Sequence, residues 1–279
     1  MDVVGLAVQA ERSRSRAATG RLLAVGEGPD GVDANADRAE PGAAGRGWRA
    51  LEPVVRLVSA TIVIGAISGA VVGGLGGRLA MRILFLTSDD TVRGVTSDDG
   101  FEIGRFTLSD TIGLVIVTAL IGVFAALLYL VARPFVARLG RATVPTMAVF
   151  YGVIGGAMMV HRDGIDFHAL EPAALAIVLF VAICGGFGAV VAYLVGSATA
   201  DGAWPQTRPW WLLGPPLLVL LFPPFLGVAI AAVAVNWADA TAGPRHRWWR
   251  VVRIGAYIVM SALLIVGALD LAQDTAILT

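Results

Sequence analysis

The chain has 279 residues, of which 57% are hydrophobic and only 15% are charged, and its 21 basic and 21 acidic side chains balance. A balanced charge gives no basic surface of the kind that binds nucleic acid, and a single cysteine excludes an internal disulfide. The apolar residues form blocks of roughly 15–27 residues between short polar loops, as in helices that cross a bilayer. We therefore predict an all-α, polytopic transmembrane helical bundle in contact with membrane lipids.

The N-terminal part of the chain differs in composition from the rest. Residues 1–50 are rich in Ala, Gly, Asp, Glu, Arg and Pro and carry too little apolar surface to offset the entropy of ordering. We predict a disordered cytoplasmic tail over 1–50 and a transmembrane domain over 51–279. All 21 basic residues are arginine, which is typical of a GC-rich bacterial genome, so we place the protein in a bacterial inner membrane.

The first apolar block carries a glycine at every fourth position and ends in two arginines. Small residues let helices in lipid approach closely, so this stripe is predicted to pack against the glycine-rich third and fourth spans, or to support self-association. Ser68 within it is interpreted as a small packing residue whose hydroxyl bonds its own backbone. The helical pattern covers residues 55–86, roughly 48 Å at 1.5 Å per residue, which is longer than a hydrocarbon core of about 30 Å. The stripe is Gly65, Gly69, Gly73 and Gly77, and the arginines are Arg78 and Arg82.

The longest polar loop between spans covers residues 87–110. Two strand-like stretches flank Asp99-Gly100, which is a hairpin signal. We predict a small extracytoplasmic β-hairpin cap here, through which a partner binds. Ser109 is the predicted N-cap of the next helix, with Asp110 favourable in its first turn.

The two arginines after the glycine stripe have three interpretations. Arg78 and Arg82 lie one turn apart on one helix face at the predicted membrane boundary. Their guanidinium groups suit an anion or a lipid phosphate, or they pair with acids of the outer loop such as Asp98, Asp99 and Asp110. The third interpretation is that their stems simply extend along the helix to reach water.

A second candidate site lies between the third and fourth spans. The loop over 161–171 offers imidazole and carboxylate groups, the ligand types that suit zinc and similar ions. Its spacing matches no established metal motif, and a solvated loop is the alternative. The candidate ligands are His161, Asp163 and His168, with Asp166 and Glu171 nearby.

The block over residues 210–237 contains two proline pairs, which a straight helix cannot accommodate without losing backbone hydrogen bonds. Two structures remain open: one kinked span, giving about six spans with both termini inside, or a re-entrant segment, giving five spans. Length favours six spans. The positive-inside rule favours re-entry, because it keeps Arg245, Arg247, Arg250 and Arg253 in the cytoplasm.

The predicted spans carry no Asp, Glu, Arg or His near their centres, whereas ion-coupled transporters normally need such groups. No catalytic spacing is recognisable, and no cofactor is implied. We therefore expect a non-enzymatic membrane protein with a structural or partner-binding role. The alternative is a small transporter or channel that uses the proline-broken segment 210–237.

Overall fold

The computed structural model describes residues 43–88, 107–160, 172–200, 202–242 and 247–278. Residues 1–42 of the predicted disordered tail, the turn and most of the predicted β-hairpin, and the predicted metal ligands all lie outside these residues. The last eight residues of the predicted tail, 43–50, are not disordered but belong to the first helix. The chain divides into two compact units, Met1–Arg46 and Gly47–Thr279, and the helical bundle belongs to the second.

The described part of the chain is almost entirely helical and contains no strand. Its α-helices, numbered in chain order, are joined by a π-helical segment and two 3₁₀ segments. The α-helices are α1 Ala43–Ser68, α2 Gly76–Thr87, α3 Leu108–Val136, α4 Thr143–Met159, α5 Ala173–Ala198, α6 Trp204–Thr207, α7 Trp210–Leu213, α8 Pro223–Ala242 and α9 Arg247–Leu278; the π segment is Gly69–Leu75 and the 3₁₀ segments are Ala137–Ala142 and Pro215–Leu221.

Five helical segments of the described chain are long and apolar enough to cross a membrane. The sequence predicts about six spans, or five with a re-entrant segment. The five segments are Leu51–Thr87, Leu108–Met159, Ala173–Ala198, Pro223–Thr241 and Arg247–Leu278. The transmembrane character predicted from composition is thus supported by the lengths and hydropathies of these helices.

The second of these segments is a hairpin of two helices. Gly140, between α3 and α4, has φ 57° and ψ −120°, a backbone conformation open to glycine but strained for residues with a Cβ. The hydroxyl of Tyr151 in α4 donates to the carbonyl of Ala125 in α3 at 2.7 Å. Residues this far apart in sequence meet because the chain reverses at Gly140, so α3 and α4 lie antiparallel.

The long first helix predicted from the sequence is confirmed, with one irregularity. α1, the π segment and α2 follow one another without a break from Ala43 to Thr87. The π segment holds about one extra residue per turn, so it rotates the residues beyond it relative to the predicted four-residue stripe. A Cβ on Gly74 would meet Val115 at 2.9 Å, whereas a Cβ on Gly77 would have nothing within 4 Å.

The glycine stripe packs most closely on α3. A Cβ on Gly65 would lie 2.7 Å from the carbonyl oxygen of Gly122, and a Cβ on Gly122 would lie 2.7 Å from the Cα of Gly69. A Cβ on Gly73 would meet Thr118 at 3.1 Å. Because Gly65 faces Gly122 and the later glycines face Thr118, the two helices run antiparallel with their backbones nearly touching.

The glycines of the third and fourth spans mostly face each other, not the first helix. A Cβ on Gly155 would lie 2.7 Å from the sulfur of Cys184, and a Cβ on Gly188 would lie 2.6 Å from the carbonyl oxygen of Met147. The first helix touches α5 more loosely, where a Cβ on Gly186 would lie 3.8 Å from Val72. The bundle therefore has two tight glycine seams, one between α1 and α3 and one between α4 and α5.

We name the two ends of the bundle by the arginines of the first helix, the Arg56 end and the Arg78 end. The main core cluster joins α1, α3, α4, α5 and α8. A smaller core cluster at the Arg78 end brings together Leu84, Val160, Ala176 and Ile177. The antiparallel seams place the C-terminal ends of α3 and α5 and the start of α4 at the Arg56 end.

The proline-rich region begins at the Arg56 end. Arg56 donates to the backbone carbonyls of Pro205 at 3.1 Å and Arg208 at 2.6 Å. One turn further along α1, the hydroxyl of buried Ser59 donates to the carbonyl of Leu213. The chain then continues as the 3₁₀ segment Pro215–Leu221, which carries two prolines in its first turn.

α8 leads back toward the same end. The Phe225 ring meets the Phe124 ring edge-on, with centroids 6.0 Å apart, and Phe124 lies near Gly122, about halfway along α3. Further along α8, the amide of Asn236 donates to the carbonyl of Leu130 at 2.9 Å, and Arg138 pairs with Asp239 at 3.1 Å. α8 therefore runs parallel to α3 and ends beside its C-terminus.

α9 starts at the Arg56 end and follows α4 toward the Arg78 end. Its Trp249 donates to Asp239 at 2.8 Å, and Tyr257 donates to the carbonyl of Phe135 at 2.8 Å. Further along, a Cβ on Gly267 would lie 2.9 Å from Ile154. α9 is therefore parallel to α4 and ends at the Arg78 end of the bundle.

The N-cap predicted for the second span is wrong by two residues. Thr107, in extended conformation, is the N-cap of α3, and its hydroxyl accepts from the backbone N–H of Asp110 at 3.1 Å. Ser109 lies inside the first turn. Threonine, like serine, has a hydroxyl oxygen that can accept from the N–H three residues further on. Asp110 remains in the first turn as predicted.

Candidate functional site

A cavity of about 410 Å³ lies at the Arg56 end, between α3, α4 and α5. Its walls come from the last turns of α3 and α5, the 3₁₀ segment after α3 and the first turn of α4. The lining residues are Tyr129, Arg133, Ala137, Gly140, Thr143, Val144, Ala192, Tyr193, Gly196, Ser197 and Thr199.

Arg133 supplies the positive charge of this cavity. It lies one turn after Tyr129 on α3, so both side chains point from the same helix face. One guanidinium nitrogen of Arg133 is 3.4 Å from the amide oxygen of Asn236, a long contact to a neutral group. Arg133 forms no ion pair with any residue that the structure describes.

Asp239, whose charge acts on Arg133 through space, is already bonded to other groups. Asp239 accepts from Arg138 at 3.1 Å and from the indole of Trp249 at 2.8 Å. Asn236 is also held in place, because its amide donates to the carbonyls of Leu130 and Ala232 at 2.9 Å and 2.8 Å. The network therefore fixes the position of Arg133 without neutralising it by direct contact.

The start of α4 forms a second wall of the cavity. Gly140, Thr143 and Val144 line it, and the amino end of a helix carries a partial positive charge. No side chain caps this helix, and the hydroxyl of Thr143 donates away from the helix start, to the carbonyl of Val136 at 2.9 Å. This wall adds to the positive potential of Arg133.

The end of α5 presents hydroxyl oxygens. Ser197 donates to the carbonyl of Leu194 at 2.8 Å, and Thr199 donates to that of Gly196 at 2.7 Å. Because each hydroxyl proton is used in this way, the oxygens offer lone pairs to a ligand in the cavity. The cavity is thus cationic on one side and accepts hydrogen bonds on the other.

The predicted arginine site lies at the opposite end. Arg78 is half-buried, and Arg82 is exposed, with its guanidinium carbon 5.6 Å from the centre of the Phe85 ring. Within the described residues, neither arginine forms an ion pair with Asp110. Asp98 and Asp99 lie outside the described residues, so a contact with the outer loop stays a prediction.

The predicted metal ligands His161, Asp163 and His168 also lie outside the described residues. Within the described residues, no three His, Cys, Asp or Glu side chains group closely enough to hold a metal ion. The predicted metal site therefore stays a prediction.

The cavity was not predicted from the sequence. From the sequence, Arg133 is one of three arginines, with Arg138 and Arg141, of a basic loop that the positive-inside rule predicts to be cytoplasmic. Its position directly after an apolar span, one turn beyond a tyrosine, was the available signal. The threonines and serines of the other walls are separated from it by the whole of α4 and α5, so their convergence required the fold.

No protein-family model, curated protein or solved structure matches this chain. The function proposed below therefore rests on the geometry of the bundle alone.

Proposed function

We propose that this chain is a multi-pass integral membrane protein of a bacterial inner membrane with a structural, partner-binding role and a cytoplasmic N-terminus. The observation that carries the proposal is an exposed, non-α-helical segment at membrane depth, Pro215–Leu221. We attribute the exposure of Pro215–Leu221 to the path that the chain takes across the membrane.

We infer five crossings and one re-entrant hairpin, residues 209–242. Its entry, near Arg208, contacts Arg56, and its exit, at Asp239, contacts Arg138. Between them, Phe225 contacts Phe124 about halfway along α3. Entry and exit on one side with a turn near mid-depth is the geometry of a re-entrant segment, although α8 alone, at about 30 Å, has the length of a span.

The distribution of charge supports the same topology. With re-entry, the arginines at the start of α9 join Arg56, Arg133 and Arg138 on one side, and Asp270 lies on the other. This is the asymmetry that the positive-inside rule describes for a cytoplasmic Arg56 end. The arginines at the start of α9 are Arg247, Arg250 and Arg253.

The hairpin tip supports a partner-binding role. The chain breaks between the 3₁₀ segment and α8, where Phe222 is extended. Broken helices are tolerated at membrane depth where protein or water covers them, yet Leu218, Leu221 and Phe222 are 66%, 80% and 68% exposed. Residues 209–238 carry no charged side chain, so the covering surface is itself apolar and embedded in the membrane. We propose a second copy of the chain, since an uncharged apolar surface is complementary to itself and two-fold dimers are the commonest assemblies.

Disulfide cross-linking tests this role. In a Cys184→Ala background, L218C, L221C and F222C are introduced singly, and native membranes are oxidised with copper phenanthroline. We expect a cross-linked band at twice the monomer mass for at least one of the three. Ile121→Cys is the control, because Ile121 is 61% exposed at a similar depth on α3. No dimer band at any hairpin position, or equal bands for the control, would contradict the proposal.

A small transporter or channel is the second candidate function. The re-entrant hairpin favours it, since discontinuous helices that meet near the bilayer midplane form the sites of many transporters. The lining of the Arg133 cavity does not include the prolines of residues 215–224. The cavity therefore does not reach the part of the proline-broken segment that a transporter would use. Flux measurements on liposomes that contain the purified chain test this candidate.

A further inference from the structure

We propose that the cavity between α3, α4 and α5 binds a phosphate group that carries net negative charge, with Arg133 as its cationic contact. This site is separate from the proposed partner surface, so each stands or fails independently.

The state of Arg133 points to an anion. A guanidinium that is partly removed from water is stable when an opposite charge or several good hydrogen bonds compensate it. Its described polar contact is one 3.4 Å approach to a neutral amide, and Asp239 is bonded to Arg138 and Trp249 instead. Asp239 attracts Arg133 through space without a direct bond, so a ligand oxyanion in the cavity supplies the direct charged contact that Arg133 lacks.

The second wall favours the same charge. The uncapped amino end of α4 borders the cavity at Thr143 and Val144. Helix amino ends attract phosphate through their partial positive charge. Here that charge is the main contribution, because the N–H of Thr143 donates to the carbonyl of Gly140 and Pro145 has no N–H. Arg133 and this helix end face one space, so an anion between them interacts with both.

The size and position of the cavity favour phosphate among the oxyanions that arginine binds. A guanidinium matches two oxygens of a carboxylate or of a phosphate at once. The cavity, at about 410 Å³, holds a group larger than a lone ion, and the hydroxyl oxygens of Ser197 and Thr199 accept bonds from substituents on that group. Tyr193 lines the cavity and is 65% exposed, so the rim reaches the bilayer interface, where tyrosines are common. The source is a lipid headgroup or free phosphate.

Native mass spectrometry of the full chain in neutral detergent micelles tests the site. The protein is titrated separately with sodium phosphate at constant ionic strength, with phosphatidylglycerol and with phosphatidylcholine. We expect the native chain to retain phosphatidylglycerol, or phosphatidylglycerol and phosphate, more strongly than zwitterionic phosphatidylcholine. Retention of the anionic lipid alone identifies a headgroup as the source, and retention of both identifies phosphate itself. Retention of neither, or equal retention of both lipids, overturns the proposal.

Two variants locate the binding. Arg133→Gln keeps a side chain able to contact Asn236 and should weaken retention at least tenfold. Arg250→Gln is the matched control, because Arg250 is an exposed arginine at the same end of the bundle and outside the cavity lining, and it should change retention less than twofold. Equal effects of the two variants, or no effect of Arg133→Gln, overturn the proposal.

A third variant separates binding from folding. A Cβ on Gly196 would meet nothing within 4 Å, so Gly196→Leu fills the cavity from the wall opposite Arg133 without a backbone clash. We expect native helix content by circular dichroism and at least tenfold weaker retention of the anionic ligand. Unchanged retention in this folded variant overturns the proposal as well.

Discussion

Two serines on α1, nine residues apart, are both buried but differ in their bonding. Ser59 donates its proton to the carbonyl of Leu213 and so ties the proline-rich region to α1. The hydroxyl of Ser68, at the start of the π segment, makes no hydrogen bond within the described residues. The prediction that Ser68 bonds its own backbone is therefore wrong, while its interpretation as a small packing residue fits its burial.

Replacing each serine by alanine should have opposite consequences. Ser59→Ala leaves the buried carbonyl of Leu213 without a donor, and we expect a loss of about 1–3 kcal/mol in stability. Ser68→Ala removes an unsatisfied hydroxyl and should leave stability unchanged or raised. Thermal unfolding in detergent, followed by circular dichroism, measures both. A larger loss for Ser68→Ala than for Ser59→Ala would contradict this description of the two hydroxyls.

At the level of elements, the α1–α3 seam depends on one glycine of α3. Gly122 approaches both Gly65 and Gly69, and a Cβ on it would collide with backbone atoms that cannot rotate away. Close approach of backbones stabilises helix pairs in lipid through van der Waals contact. The seam is therefore sensitive to the addition of a single methyl group.

Gly122→Ala should force α1 and α3 apart and lower stability by about 1–3 kcal/mol, the usual cost of overpacking. Gly113→Ala on the same helix is the control, since a Cβ there would have nothing within 4 Å. We expect no loss for the control, because alanine favours helix more than glycine does. Unfolding temperatures measured in the same detergent compare the two, and equal losses would show that the seam is not the cause.

The sequence allowed the existence and length of the helices to be predicted, but only part of their pairing. The four-residue glycine spacing indicated a close-packed face on the first helix, and Gly65 and Gly69 are on it. The partner was misidentified because Gly122 is an isolated glycine within an apolar span, without a stripe of its own. The π segment, which replaces Gly77 by Gly74 in the seam, left no recognisable pattern in the sequence.

For the whole molecule, the sequence left open whether the proline-rich block over residues 210–237 is one kinked span or a re-entrant segment. Its length fitted a span and its flanking arginines fitted re-entry, and these two properties oppose each other. The contacts that favour re-entry, from Arg56 to Arg208 and from Phe124 to Phe225, join residues far apart in the chain. Such pairings depend on how the helices assemble, so local sequence patterns could not provide them.

The topology also places the candidate sites. On the proposed topology, with a cytoplasmic Arg56 end, the Arg133 cavity opens toward the cytoplasm and the Arg78 end faces outward. The partner surface at Leu218 to Phe222 lies between these two sides, within the bilayer. The first two assignments depend on a cytoplasmic N-terminus, and the third depends on the re-entry of residues 209–242.

The side on which the C-terminus lies tests this topology most directly. Fusions of the full chain to alkaline phosphatase, active outside the cytoplasm, and to green fluorescent protein, fluorescent inside it, are expressed in a bacterial host. Five crossings from a cytoplasmic N-terminus predict an active phosphatase and a dark fluorescent protein at the C-terminus. A fluorescent fusion with inactive phosphatase would place both termini on one side and contradict the re-entrant hairpin.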